Sequence, residues 1–287
     1  MVGSMRSCGL AELHGTFIPF TTTLRHENSH HRHTHRYHPL FTPASGQQVH
    51  PASPSGGCGG YRRADRLGRG RRHEQNLNLH LADCLNMPSK LLFLPGAAGN
   101  AQFWQPVATA LSGPAEQVRY GWPGFGNNPA DPAVQGLDDL AQRVGTDIVP
   151  GTALIAQSMG GIVAIKAALA HADALSHLVL CATSGGIDMQ GLPLQDWRGA
   201  FAAANPRYPR WFLDNREDLS DSLSKLRMPV LLIWGDSDPI SPVAAGERLA
   251  ARLPNARLHI VAGGQHDFAW RRADLVAPLI EAFLRQH

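Results

Sequence analysis

Residues 156–160 read Ala-Gln-Ser-Met-Gly, so that Ser158 stands between two small residues. An apolar run ends at Ala156, and a second apolar run, 161–169, follows the stretch. A strand that turns sharply into a helix on such a serine lifts the hydroxyl out of the sheet, and the helix N-terminus adds partial positive charge there. The pattern therefore predicts that Ser158 is a nucleophile. Ala156 departs from the usual glycine by one methyl group.

Two further side chains follow predicted strands later in the chain. Asp238 comes after the apolar run 229–234, and His266 lies in a glycine-rich loop after the last predicted strand. The carboxyl ends of strands carry the active residues of open α/β sheets, so we expect both side chains beside Ser158. A hydroxyl, an imidazole that takes its proton and a carboxylate that orients the imidazole form a nucleophilic trio. Asp236 is a competing carboxylate, but its place nearer the strand end favours capping the turn.

A loop of small residues follows the first predicted strand. Residues 95–99 read Pro-Gly-Ala-Ala-Gly. Small side chains leave backbone N–H groups able to face a developing oxyanion. We assign the two donors of an oxyanion hole to the N–H groups of Ala97 and of Met159, the residue after Ser158.

From about Met87 to His287 the chain resembles the α/β-hydrolase superfamily. Its motifs stand in the family's order of Ser, then Asp, then His. They are Leu94-Pro95-Gly96, Trp122-Pro123-Gly124-Phe125-Gly126, Ala156-Gln157-Ser158-Met159-Gly160-Gly161, Gly235-Asp236-Ser237-Asp238 and Gly264-Gln265-His266. The resemblance is closest to small single-domain carboxylesterases, including those similar to the pimeloyl-carrier-protein methyl ester esterase. Pro95 departs from the pattern, because many relatives have His there.

The resemblance implies a serine hydrolase that cleaves a small or medium carboxylic ester through an acyl-enzyme on Ser158. It implies a small-molecule partner and no metal or organic cofactor. One alternative is a hydrolase or lyase that uses the same trio on a carbon–carbon bond. Another alternative, from a different class, is a ligand-binding receptor with residual hydrolase activity. A dehalogenase is disfavoured, because the sharp turn carries Ser and not Asp.

Apolar strand-like runs and helix-like runs alternate from Met87 onward. The predicted strands are 90–94, 116–120, 152–156, 177–182, 229–234 and 257–261. The predicted helices are 102–112, 137–148, 160–171, 242–252 and 273–285. Such alternation predicts the α/β-hydrolase fold, an α/β architecture with a mostly parallel sheet and helices on both faces.

The stretch 184–226 breaks the alternation and predicts a short cap insertion. Aromatic residues dominate cores as well as pockets, so about half of those in the cap are expected only to pack it onto the body. The aromatic side chains predicted to line an apolar pocket over Ser158 are Phe125, Trp197, Trp211, Phe212 and Phe268. The short cap predicts a modest pocket for a small or medium acyl or aryl group.

The N-terminal segment, residues 1–86, differs in composition from the rest. It holds ten Arg, no Lys and five acidic residues, which accounts for the overall charge of +3. Its apolar residues are sparse, so we predict a disordered His/Arg/Gly-rich extension, with one short strand at 76–82 as an alternative. Met87 is a candidate for the natural start. The hydrolase domain, 87–287, is near neutral, and no nucleic-acid partner is expected.

The remaining observations concern compartment. No apolar run approaches the length of a membrane span, and no secretory signal is visible. The four cysteines are scattered, so a disulfide framework is not supported and a reducing, cytoplasmic location is favoured. The sequence does not specify an oligomeric state.

Overall fold

Six parallel strands form one sheet in the computed structural model, which describes residues 87–286. The strands are β1 (Lys90–Leu94), β2 (Glu116–Arg119), β3 (Thr152–Gln157), β4 (Leu175–Cys181), β5 (Val230–Gly235) and β6 (Ala256–Val261). Their order is β2-β1-β3-β4-β5-β6, and each of the five neighbouring pairs is parallel. The strand that follows β1 in the chain, β2, lies on one side of it, and the next strand, β3, lies on its other side. This reversal makes the β1–β3 border a topological switch point, where open sheets place their sites.

Helices connect the strands. They are α1 (Gln105–Ala110), α2 (Leu137–Gly145), α3 (Met159–Ala170), α4 (Arg198–Ala204), α5 (Arg210–Asp214), α6 (Val243–Ala250), α7 (Phe268–Arg271) and α8 (Ala273–Leu284). Turns occupy 101–104, so α1 begins three residues later than predicted. Pro106 accounts for this start, because proline lacks an N–H and is favoured in the first helical turn.

The sheet is covered on both faces. Alternate residues of one strand enter different cores: Leu154 and Ala156 of β3 join one apolar cluster, and Ala153 and Ile155 join the other. All six residues of β3 are buried, as they are in β5. Burial on both faces explains why the central strands are continuous apolar runs. The predicted fold class is confirmed.

The predicted cap contains α4, α5 and a 3₁₀ turn at Ser220–Lys225. Its aromatic side chains pack on the core cluster that contains Met159. Within residues 87–286, every helix falls short of the length and apolar character needed to cross a bilayer. The predicted extension 1–86, with its possible strand at 76–82, lies outside the described residues.

Candidate active site

Ser158 alone forms the turn between β3 and α3. Its φ is 53°, a left-handed value that costs a residue with a side chain roughly 1–3 kcal/mol. Two hydrogen bonds hold the turn: the Ser158 N–H donates to the Cys181 carbonyl at 3.0 Å, and the Thr183 hydroxyl donates to the Ser158 carbonyl at 2.6 Å. The strained backbone is therefore fixed from β4 and the loop after it.

Gly160 lets α3 begin against the end of β1. A Cβ atom at this position would lie 2.4 Å from the Pro95 carbonyl oxygen and 2.6 Å from that of Leu94. Only glycine avoids both contacts without a shift of the backbone. Ala156, the other small residue of the motif, is fully buried in β3 and accommodates its methyl group there.

The structure brings Ser158, His266 and Asp238 together at the carboxyl edge of the sheet. His266 Nε2 lies 3.1 Å from Ser158 Oγ, and His266 Nδ1 lies 2.8 Å from Asp238 Oδ2. The Asp238 carboxylate is buried, and its other oxygen accepts the N–H groups of Ile240 and Ser241 at 2.9 and 3.1 Å. A carboxylate on Nδ1 favours the tautomer whose Nε2 lone pair faces the serine.

The loops that carry Asp238 and His266 are locked to each other by glycines. A Cβ atom at Gly235 would lie 2.1 Å from the Gly264 carbonyl oxygen, so the two backbones touch. Asp236 joins the same loops, because its Oδ1 accepts the Gly263 N–H at 2.7 Å. Asp236 thus holds the loop that presents His266, while Asp238 is the carboxylate bound to the imidazole.

Two buried indoles fix the loop after β1. Trp104 Nε1 donates to the Leu94 carbonyl at 2.9 Å, and Trp122 Nε1 donates to the Pro95 carbonyl at 2.7 Å. Both side chains are about 1 % exposed. Consecutive carbonyls are therefore held away from the cleft, which orients the peptide units that follow them.

The two predicted oxyanion donors are on two segments that meet at Ser158: the loop after β1 and the start of α3. Met159 is the first residue of α3, so its N–H has no carbonyl one turn earlier in that helix. Ala97 is buried in the loop that passes Ser158, where a Cβ atom on Gly96 would lie 3.1 Å from the serine Cβ. In the described part of the chain, neither N–H donates to a loop or turn carbonyl.

A cleft of about 590 Å³ opens over Ser158 and His266. Of the predicted pocket residues, Trp197 and Phe212 line it. Their rings are stacked, with centres 5.6 Å apart and planes 29° apart, and together they form the apolar wall of the cleft on the cap side. Met159 also lines the cleft, on the helix that follows Ser158.

The other predicted pocket residues do not reach this cleft. Phe125 is fully buried behind the wall, where its ring contacts Phe212 edge-on at 6.1 Å, and Trp211 contacts Phe125 at 5.5 Å. Phe268 packs in the core on the other face of the sheet. Adjacent residues on a helix point about 100° apart, and here Phe212 lines the cleft while Trp211 packs on Phe125.

Sequence reasoning missed several side chains of the site. Gln157 Nε2 donates to the His266 carbonyl at 3.1 Å and so supports the histidine loop from the nucleophile turn. Ser241 lines the cleft while its Oγ accepts the Trp234 Nε1–H at 3.1 Å. Arg198 lines it as well, and its place directly after a cavity tryptophan was the available signal.

Among the described residues, no three His, Cys, Asp or Glu side chains are grouped closely enough to hold an ion. The predictions on metal and cofactor requirement stay predictions.

Comparison with known proteins identifies the class. Residues 91–225 match the model of an alpha/beta hydrolase family, and residues 208–273 match that of the alpha/beta hydrolase fold. Together the two matches cover residues 91–273, from β1 to the first residue of α8. The chain belongs to the α/β-hydrolase superfamily.

Individual relatives agree with this assignment. The poly(3-hydroxyalkanoate) depolymerase of Ectopseudomonas oleovorans is 28% identical over 239 residues, which cover 68% of this chain and 84% of that protein. A 2-hydroxy-6-oxononadienedioate/2-hydroxy-6-oxononatrienedioate hydrolase of Burkholderia vietnamiensis is 24% identical, covering 67% and 84%. The structure of a thermophilic esterase from Thermogutta terrifontis matches with a TM-score of 0.58 at 20% identity, covering 69% of this chain and 90% of that one. The structural match shows the fold alone. The protein is a hydrolase.

Proposed function

We propose that this hydrolase cleaves a small or medium carboxylic ester through an acyl-enzyme on Ser158. The observation that carries the proposal is the continuous hydrogen-bonded line from Ser158 Oγ through His266 to Asp238, with spacings of 3.1 and 2.8 Å. Such a line supplies a nucleophile, its base and the group that orients the base.

The reaction begins when His266 Nε2 takes the Ser158 proton and Oγ attacks the ester carbonyl. The N–H groups of Ala97 and Met159 stabilise the oxyanion, and His266 gives its proton to the leaving alcohol. Water, deprotonated by His266, then attacks the acyl-enzyme and releases the acid. Asp238 stabilises the imidazolium in both half-reactions. The small-molecule ester is the only partner that the proposal requires.

Hydrolysis of 4-nitrophenyl esters of increasing acyl length tests this function. Ser158→Ala removes the nucleophile and should lower kcat by a factor of about 10⁴ or more, while the melting temperature stays unchanged. Ser184→Ala is the matched control, since Ser184 lines the same cleft but lies outside the trio. Equal kcat in the parent and in Ser158→Ala would contradict the proposal.

Carbon–carbon bond hydrolysis is the second candidate, supported by the similarity to the Burkholderia vietnamiensis hydrolase. The same trio can act on a β-diketone-type substrate, since the acyl chemistry at the carbonyl is alike. Product analysis by mass spectrometry distinguishes the two. Turnover of the 4-nitrophenyl esters without cleavage of the diketone would support ester hydrolysis. Cleavage of the diketone at a higher kcat/KM than any ester would favour the second candidate.

A further inference from the structure

Two arginines line the cleft above the candidate nucleophile: Arg198, the first residue of α4, and Arg216, which follows α5. Arg216 Nη1 donates to the Leu213 and Asn215 carbonyls at 2.8 and 2.9 Å, so the cap backbone fixes its guanidinium. The Arg198 guanidinium lies 5.0 Å from the centre of the Trp197 ring. Both cations are therefore held by the cap.

Within residues 87–286, neither guanidinium forms an ion pair with a carboxylate. Burial lowers the pKa of Arg198, and the charge of Arg216 lowers it further, while Asp196 opposes the shift. Two like charges close to each other in one cleft carry an electrostatic cost that a bound anion would remove.

The acidic residues of the cleft are occupied by their own donors. Both oxygens of Glu217 accept hydrogen bonds from Lys166 Nζ, at 2.7 and 2.5 Å. Asp218 Oδ1 accepts the N–H and the hydroxyl of Ser220 at 2.9 and 2.6 Å. Asp188 accepts an N–H of the turn that it begins. Among the described residues, Glu217 is thus paired with Lys166, Asp188 and Asp218 accept hydrogen bonds from neutral donors, and none of the three forms an ion pair with either arginine.

The arginines are placed beside the apolar wall of the cleft. The Arg198 guanidinium lies 5.0 Å from the centre of the Trp197 ring, and Arg216 lines the same cleft as Trp197 and Phe212. An apolar chain that lay along the two rings would bring its far end to the guanidinium groups. Planar guanidinium groups bind carboxylates with paired hydrogen bonds, which makes a carboxylate the matching end group.

We propose that the acid portion of the ester ends in a carboxylate, which Arg198 and Arg216 bind while its apolar middle lies on Trp197 and Phe212. This inference rests on the proposed ester hydrolysis at Ser158. The acid portion is the part concerned, because it stays bound to Ser158 through both half-reactions and alcohol leaves after the first. The substrate class is thus the monoester of a dicarboxylic acid.

Paired substrates isolate the contribution of the carboxylate. The mono-4-nitrophenyl esters of adipic and suberic acid match 4-nitrophenyl hexanoate and octanoate in acyl length and differ by the terminal charge. We expect kcat/KM to be at least about tenfold higher for the charged member of one pair, the gain typical of a charge-assisted hydrogen bond. Raising the salt concentration should reduce this preference.

Substitution assigns the preference to the two side chains. Arg198→Gln and Arg216→Gln should each lower the charged-to-neutral ratio of kcat/KM several-fold, and the double variant should bring it to one or below. Arg210→Gln is the matched control, because it removes a cap arginine that does not line the cleft and should leave the ratio unchanged. A ratio near one in the parent, or an equal fall in Arg210→Gln, would overturn the inference.

Binding to the Ser158→Ala variant separates this inference from the proposed function. Titration with suberate, followed by tryptophan fluorescence and calorimetry, should show saturable binding that the additional Arg198→Gln and Arg216→Gln changes weaken at least about tenfold. Arginine-dependent binding without hydrolysis of any ester would support the anion site and refute the proposed function. Hydrolysis of neutral esters by the parent protein, without arginine-dependent binding or a preference for charged esters, would support the proposed function and refute the anion site.

Discussion

At the residue scale, the two carboxylates after β5 have separate tasks. Asp238 is buried against His266, whereas Asp236 is exposed and joins the two loops. Asp238→Asn should lower kcat by about 10⁴, because an amide cannot hold the imidazole in the productive tautomer. Asp236→Asn should lower kcat far less. Steady-state kinetics of both variants checks this, and a larger loss in Asp236→Asn would reverse the assignment.

Gly160 and Ala156 occupy the two small positions of the motif but tolerate change differently. Gly160→Ala drives a methyl group into two carbonyl oxygens, so we expect a loss of about 1–3 kcal/mol in unfolding free energy and loss of activity. Ala156→Gly restores the usual motif and should cost no more than about 1 kcal/mol, with kcat retained. Thermal unfolding and ester hydrolysis measure both. Normal activity in Gly160→Ala would show that α3 can move away from β1.

The trio could be predicted from sequence because each member follows an apolar strand in a short loop. Its supporting contacts could not. The Gln157 amide reaches the His266 carbonyl across 109 positions of the chain, and no local pattern marks such a pairing. The same holds for Trp122, whose indole binds a carbonyl 27 positions earlier.

At the element scale, Lys166 ties the helix after the nucleophile to the cap. Its side chain is 8% exposed, and Nζ lies 2.8 Å from Asp138 Oδ1 and 2.5 Å from Glu217 Oε2. Lys166→Met removes the partner of two carboxylates that water still reaches, so we expect a loss of about 1 kcal/mol in stability and a higher KM as the cap loosens. Hydrogen exchange over residues 215–226 reports the loosening. Lys225→Met, an exposed cap lysine, should change neither quantity.

The ion pairs of Lys166 with Asp138 and Glu217 should also persist at alkaline pH. Burial opposes the shift, but the hydrogen bonds to Asp138 and Glu217 raise the pKa of Lys166. A raised folded-state pKa means that this contribution is complete below the unfolded-state value, about 10.4, and is lost only above it. The stability difference between the parent and Lys166→Met should therefore stay constant from pH 7 to about pH 10. A difference that vanished by pH 8 would contradict this role.

Strand positions were predictable to within two residues. Burial on both faces leaves continuous apolar runs in the four inner strands, β1, β3, β4 and β5. Short elements were not predictable. The four-residue α7 is too short to show a helical period, and α5 is only five residues long. The rotation of α5 decides which of its aromatic side chains reaches the cleft, and that rotation depends on contacts with Phe125 and Trp197.

At the scale of the whole molecule, one sheet supports two cores. Leu154 and Ile155 are adjacent in β3, are both fully buried and belong to opposite faces. Leu154→Ala and Ile155→Ala should each cost about 2–5 kcal/mol, because neither face can collapse into the cavity. Ile260→Ala on β6 is the control, since that side chain is 38% exposed and should cost about 1 kcal/mol or less. Urea unfolding measures all three. A comparable loss from Ile260→Ala would show that β6 is covered in solution.

The central claim is that Ser158 is an activated nucleophile, and intact-mass analysis after treatment with a fluorophosphonate tests it most directly. The parent protein should gain one adduct, and Ser158→Ala should gain none, while Ser184→Ala should react like the parent. Asp238→Asn should react more slowly, because His266 then lacks its orienting carboxylate. An unmodified parent, or an adduct that persists in Ser158→Ala, would contradict the account.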